Sequence, residues 1–390
     1  MEIQSFNPDS SFESQAPTRF SGAPKWSSRV IVVGDGWAAL GSVGFLVTAG
    51  VDVVWVLGSG ARLLAPTVAL NQAEGALSWW ELVRKFQPEL SEPQMGSYVK
   101  EFRNKSFRDP AWCKAPSIET RKEVIEESLW APEQRLVGAT EFRFSVSILD
   151  LEDQLRAELT SDRFPNLTRI EGLPVRSLKV ENHAVVGIVL GSGEEILGSQ
   201  VVYADRWSLL SGIENVPRPL SFLRKREPVG VLQASFQHEP AIHGGILQTF
   251  FAPMHREAGD KLDRHFWGYF SADGKRSVWT LCLSSEEAED NHEIAKKIRK
   301  LKNSLDKIFQ GSDLIPDGKA CFTETLLREQ FRFEEEAIFA QGNPPEEPFE
   351  LSALSGIVFM TDAYGPAYAM QQVVHGLLDT KVTSEALTAS

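Results

Sequence analysis

Six consecutive residues, Gly34-Asp35-Gly36-Trp37-Ala38-Ala39, carry the spacing GxGxxA between a short apolar run and a helical pattern. That arrangement suits the binding of a nucleotide diphosphate. Gly34 permits a tight turn, Gly36 lets the backbone approach a pyrophosphate, and Ala39 allows the helix to pack closely on the strand. The free N–H groups at the helix start then face the phosphates with the positive end of the dipole. Such units usually end their second strand on an acidic residue that binds a ribose hydroxyl. Here the spacing places Leu57 there, followed by Gly58-Ser59-Gly60-Ala61-Arg62. Two readings stay open. Ser59 and Arg62 hold a 2′-phosphate, as in an NADP site, or backbone and water alone hold the adenine ribose. Asp35 and Asp52 do not substitute, because one lies in the turn and the other at the start of the strand.

Other reactive side chains form no recognisable set. His238 and His243 flank a proline-containing loop without a third ligand at a zinc spacing. Cys113, Cys282 and Cys321 form no CxxC, so a disulfide framework, a zinc ribbon and a nucleophilic-cysteine signature are all unsupported. There is no GxSxG elbow for hydrolase chemistry. Phe250, Phe251, Trp267, Tyr269 and Trp279 lie at strand spacing, where they either wall a pocket or fill a core. His375 sits in the closing helix and reaches the pocket if its face points inward.

The elements that must position the glycine turn are legible around it. Arg29–Val33 reads as a buried parallel strand, Trp37–Ala49 as a helix closed by Gly50, and Val51–Leu57 as a second strand. This stretch is apolar for the length of a membrane span, but Asp35, Asp52 and five glycines interrupt it, so we expect a soluble βαβ unit and no integral membrane segment. Leu149–Leu159 reads as an amphipathic helix. Leu167–Glu171, Val175–Val180, Val185–Leu190 and Gln200–Ala204 read as strands, with Gly191-Ser192-Gly193 as a hairpin turn. Residues 217–330 look antiparallel, with strands at Val229–Gln237, Ile246–Phe251, His265–Ser271 and Ser277–Leu283 and a hairpin at Asp273-Gly274. Ser284–Phe309 reads as one helix with a Ser284/Glu287 capping box. Its Lys296, Lys297, Arg299, Lys300 and Lys302 are expected on a solvated face. Gly356–Met360 is a strand with a helix over Ala367–Thr380 behind it. Helix-like pieces occur at Leu77–Phe86 and Glu119–Ser128 in an otherwise irregular 61–140.

The 390 residues include 40 Lys and Arg against 53 Asp and Glu, a net charge of −13. A surface this acidic repels phosphate backbones and disfavours a nucleic-acid partner. Three cysteines and no secretory signal in Met1–Ser28, read as a poorly ordered arm, point to a reducing, cytoplasmic setting.

Three separated segments together resemble the FAD-dependent oxidoreductases of the amine oxidase and protoporphyrinogen oxidase type. They are VIVVGDGWAALGSVGFLVTAGVDVVWVL, the helix-and-meander stretch from Leu151 to Ala204, and SGIVFMTDAYGPAYAMQQVVHG from Ser355 to Gly376. The resemblance implies that Val175 contacts adenine through its backbone and that Asp362 hydrogen-bonds the ribityl chain of FAD. It also implies that the helix start near Tyr368, Ala369 and Met370 faces the flavin pyrimidine, its dipole stabilising charge on the reduced ring. The sequence departs from the family at Leu57, at Arg62-Leu63-Leu64, at Thr361 and at Gln371-Gln372, where an acid, paired glycines, a glycine and a small pair are usual. The expected fold class is α/β, a Rossmann-like dinucleotide-binding domain with an inserted α+β substrate domain built on an antiparallel sheet. We expect the first from residues 29–65, 140–210 and 331–385, the second from 66–139 and 211–330, and an arm over 1–28. The expected activity is hydride transfer from a small amine or apolar substrate to FAD. The alternatives are a flavin-less relative that binds a protein, or an enzyme using NADP.

Overall fold

The computed structural model describes residues 25–26, 28–58, 69–71, 74–92, 94–95, 98–110, 140–143, 145–216, 226–239, 241–242, 248–254, 264–309, 326–339, 349–351, 354–362 and 366–378. Its first twelve strands are β1 (Val30–Val33), β2 (Val53–Val56), β3 (Ala69–Asn71), β4 (Gln94–Met95), β5 (Val99–Arg103), β6 (Ser106–Arg108), β7 (Thr140–Arg143), β8 (Leu167–Ile170), β9 (Val175–Glu181), β10 (Ala184–Leu190), β11 (Glu195–Leu197) and β12 (Gln200–Tyr203). The remaining strands are β13 (Arg226–His238), β14 (Thr249–Pro253), β15 (His265–Phe270), β16 (Arg276–Leu283), β17 (Leu326–Phe339), β18 (Phe349–Leu351) and β19 (Leu354–Phe359). The described helices are α1 (Trp37–Thr48), α2 (Glu74–Phe86), α3 (Ile148–Thr160), α4 (Ser285–Glu289), α5 (Asn291–Phe309) and α6 (Pro366–Leu377).

A nine-stranded sheet is built on the parallel order β19-β12-β1-β2-β8. Its central strands are apolar throughout because both faces are covered, as parallel strands require. On one face Val30, Val32, Val53, Trp55, Val202 and Val358 pack under a helix layer that includes α1, α3 and α6. On the other, Ile31, Val33, Val54, Val56, Tyr203 and Phe359 meet the antiparallel β9–β10–β11 meander and one face of a second sheet. That second sheet has the order β17-β13-β16-β15-β14-β5-β6, antiparallel except where β14 runs parallel to β5. A three-stranded sheet, β3-β7-β4, completes the described elements.

Three differences from the sequence reading have local causes. Ser284–Phe309 forms two helices, because Asp290 leaves the helical conformation after α4, and its side chain accepts from His292 N–H (2.7 Å) to start α5. Lys297 and Lys300 are buried, not solvated: Lys297 pairs with Glu287 (3.0 Å), which also holds Arg264 (2.8 Å). Burial works to raise the Glu287 carboxyl, but the Ser284 N–H and the two cations together hold it below the ordinary carboxylate range. Third, β5 and β6 arise within the stretch read as irregular, and β17 runs across residue 330, so the boundary expected there falls inside a strand. Residues 1–24 of the arm and Glu119–Ser128 lie outside the described residues, while the end of the stretch read as an arm is docked, with Trp26 buried and Lys25 N–H donating to the Leu377 carbonyl (2.6 Å).

Candidate functional site

The glycine turn stands at the C-terminal edge of the parallel strands, where open α/β sheets bind ligands. Gly34 has φ +130, and a Cβ there would lie 2.5 Å from the Ala204 carbonyl oxygen. Both the conformation and the close approach of β12 therefore demand glycine. The turn is held by Gly34 N–H donating to Val56 (3.0 Å) and by the Trp55 indole donating to the Gly34 carbonyl (2.8 Å).

Gly36 is the N-cap of α1 and has no side chain with which to cap it. Asp362 does so instead: its Oδ1 accepts from Ala38 N–H at 2.7 Å, across 324 residues. A Cβ on Gly36 would fall 1.4 Å from Asp362 Oδ2, so the missing side chain admits the carboxylate. Asp362 follows β19, and Thr361 N–H before it donates to the buried Gln372 Oε1 (2.9 Å). The Gln372 side chain thus fixes the backbone that presents Asp362.

Asp35, between the two glycines, is neutralised by Arg156 of α3, which binds both its carboxylate and its carbonyl oxygen (2.6 Å for the latter). Arg156 also approaches the fully buried Glu152 at 3.9 Å. Sequence reasoning missed Arg156. The available signal was Glu152 and Arg156 at i,i+4 beside the Leu151, Leu155, Leu159 stripe, a charged pair too close to an apolar face to be wholly solvated. Asp205, which follows β12, was also missed; its Oδ1 accepts from Arg206 N–H at 2.8 Å.

The structure therefore joins Gly34, Asp35, Gly36, Trp37 and Ala38 with Asp362 at the start of α1. It packs α6 on α1 through Met370, whose sulfur lies 2.3 Å from where a Cβ of Gly41 would stand. Ala369 and Met370 are fully buried in the α1 layer, so their side chains face away from the sheet edge. With Pro366 first in α6, Ala367 and Tyr368 lie in its first turn, whose N–H groups point out along the helix axis. Tyr368 packs against the apolar cluster on the other face of the parallel sheet from the one that holds Met370. Val175 opens β9 and pairs with Leu190, on the far wing of the sheet from the turn. Ser59 and Arg62 lie outside the described residues.

The aromatic set divides by strand parity. Phe251 and Trp267 face the parallel sheet, Phe250 and Trp279 pack under α5, and Tyr269 joins Tyr98 and Leu149. Among the described residues, the buried indole N–H of Trp267 has no hydrogen-bond partner. His375 lies in the last turn of α6, about 13 Å along the axis from its start. His238 is buried against Ser277 Oγ (2.9 Å), and burial lowers its pKa to about 4. Among the described residues no cluster of three His, Cys, Asp or Glu is placed to hold a metal ion, and no helix is long and apolar enough to cross a membrane.

No protein family and no curated protein sequence matches the chain. Among solved structures it is similar to an oxidoreductase from Methanosarcina mazei, with a TM-score of 0.55 and 12% identity over 89% of this chain and 99% of that one. It is also similar to iminodiacetate oxidase from Chelativorans sp. BNC1, with a TM-score of 0.52 and 14% identity over 93% and 96% of the two chains. A third structure, the peptidyl tryptophan dihydroxylase QhpG, matches 86% of this chain at 15% identity and a TM-score of 0.45; the chain spans 60% of its length. The class that emerges is one of fold, the Rossmann-type α/β architecture shared with the first two of these structures.

Proposed function

We propose that the chain is an FAD-dependent oxidoreductase that moves a hydride from a small amine or apolar substrate to the flavin. The observation that carries this is the convergence of the α1 N-terminus, its glycine turn and Asp362. A helix start with a side-chain-free approach, beside a carboxylate delivered from a distant strand, is the donor and acceptor set that a dinucleotide needs. The shared fold with two oxidoreductases supports it.

The residues present fit such a group. The positive end of the α1 dipole faces a diphosphate position, with the Ala38 N–H already held by Asp362, and Arg156 cancels the charge of Asp35 that would repel the phosphates. Asp362 offers acceptors to the hydroxyls of a ribityl chain. The start of α6 presents the positive end of its dipole to negative charge on a ring. Phe251 and Trp267 exclude water from the space between the sheets, and the Trp267 N–H is a donor available to a ligand there. FAD, when bound, supplies the redox chemistry, and the protein orients substrate and keeps the site dry. The seven-stranded sheet forms the substrate side of the molecule.

The test is an absorption spectrum of the purified protein, before and after FAD is added and excess removed by desalting. Retained flavin bands that bleach anaerobically with an amine substrate are expected. A colourless protein that takes up no FAD overturns the proposal.

A further inference from the structure

The acidic residue that should close β2 is Leu57, yet a carboxylate stands beside this position. It belongs to Asp205, two strands away in the order β12-β1-β2. Two absent side chains open its path. Gly34 lets the Ala204 carbonyl close over the end of β1, and Gly58 leaves a space whose Cβ position is 3.0 Å from Asp205 Oδ2. We infer that Asp205 is the acceptor for the adenosine ribose hydroxyls, supplied from β12 in place of the missing acid on β2; this rests on the nucleotide-binding reading above.

The neighbouring acids are committed elsewhere. Asp52 pairs with Arg29 (2.8 Å) at the other end of β2, and Asp35 is held by Arg156. Among the described residues, the one hydrogen bond to the Asp205 carboxylate comes from Arg206 N–H and falls on Oδ1. Oδ2 is the atom turned toward Gly58. Burial, with the nearby Asp35 charge added, raises the Asp205 carboxyl above its ordinary range. A half-satisfied carboxylate of this kind gains from a hydroxyl donor. Its charge also repels a 2′-phosphate, so the site selects an unphosphorylated adenosine ribose and opposes the NADP reading of Ser59 and Arg62.

The experiment measures binding of ADP, 2′-deoxy-ADP and 3′-deoxy-ADP to the full chain, each competing against FAD uptake. The wild-type protein is expected to prefer ADP over at least one deoxy analogue by about 10-fold to 100-fold, the size of a hydrogen bond to a charged group. Asp205→Ala should abolish that preference, and adding Leu57→Glu to Asp205→Ala should restore it. If Asp205→Ala does not fold, Asp205→Asn carries the test and is expected to cut the preference at least threefold. A preference that is absent from wild type, or that survives loss of the carboxylate, overturns the role of Asp205 while FAD binding stands. A wild-type protein that binds neither ADP nor FAD overturns both this inference and the function on which it rests.

Discussion

Asp362 enters the space that Gly36 leaves empty, so the two residues act as one device at the start of α1. The φ of Gly36 is −90, an ordinary value, so alanine there is opposed by the carboxylate and not by the backbone. Gly36→Ala should push Asp362 off the Ala38 N–H and cost about 1 kcal/mol, the usual value of a lost helix cap. Asp362→Ala should cost a similar amount, and the double variant little more than either single one. Denaturant melts of the four proteins measure this; full additivity would separate the two residues. Arg156 belongs to the same scale. Arg156→Gln leaves the Asp35 charge facing the diphosphate position and should weaken FAD binding by about 10-fold, as followed by flavin fluorescence titration. The glycines and Asp362 were legible because each lies in a local motif. Arg156 and Asp205 were not, because their roles depend on which helix and which strand lie next to the turn.

At the scale of elements, β13 carries a buried histidine whose titration sets a pH dependence. His238 has an ordinary pKa of 6.5 and is lowered to about 4 by burial, so the fold keeps it neutral. The unfolded chain takes up its proton first as the pH falls, and stability is lost between about pH 6.5 and 4. His238→Gln removes this component. The stability gap between wild type and variant should therefore be widest at pH 7 and narrow toward pH 4, as measured by urea melts. The β13–β17 pair also shows where sequence periodicity misleads. β17 runs from Leu326 to Phe339 at the edge of its sheet, paired with β13, and includes Arg328, Glu329, Gln330 and Arg332. Edge strands are charged for protection against pairing with other chains, so they lack the apolar signature that revealed β1, β2 and β12. The break at Asp290 was hidden for a different reason, since Asp ends one helix and caps the next without interrupting the apolar stripe of α5.

Across the whole molecule, Arg276 of β16 reaches out of its sheet to Asp150 and Asp153 of α3, each at 2.8 Å. Burial opposes the charge, but these two hydrogen-bonded carboxylates raise the guanidinium pKa. Arg276→Met should lower the melting temperature by about 1–3 °C and reduce its sensitivity to salt, because partly exposed ion pairs are modest and screened. Calorimetry at low and high ionic strength measures both effects. The βαβ start and the antiparallel middle were visible from local pattern, whereas strand order, on which the site depends, is a property of distant contacts. β1 at residue 30 takes β12 at residue 200 as one neighbour, and β12 takes β19 at residue 357 as its other. A growing chain on the ribosome therefore holds an apolar, unpaired β12 edge until about residue 360 has emerged. Over that interval α1 has no cap and no nucleotide can be gripped by Asp362, so biosynthesis of this protein should depend on chaperones that shield strand edges and on cofactor arriving only after release.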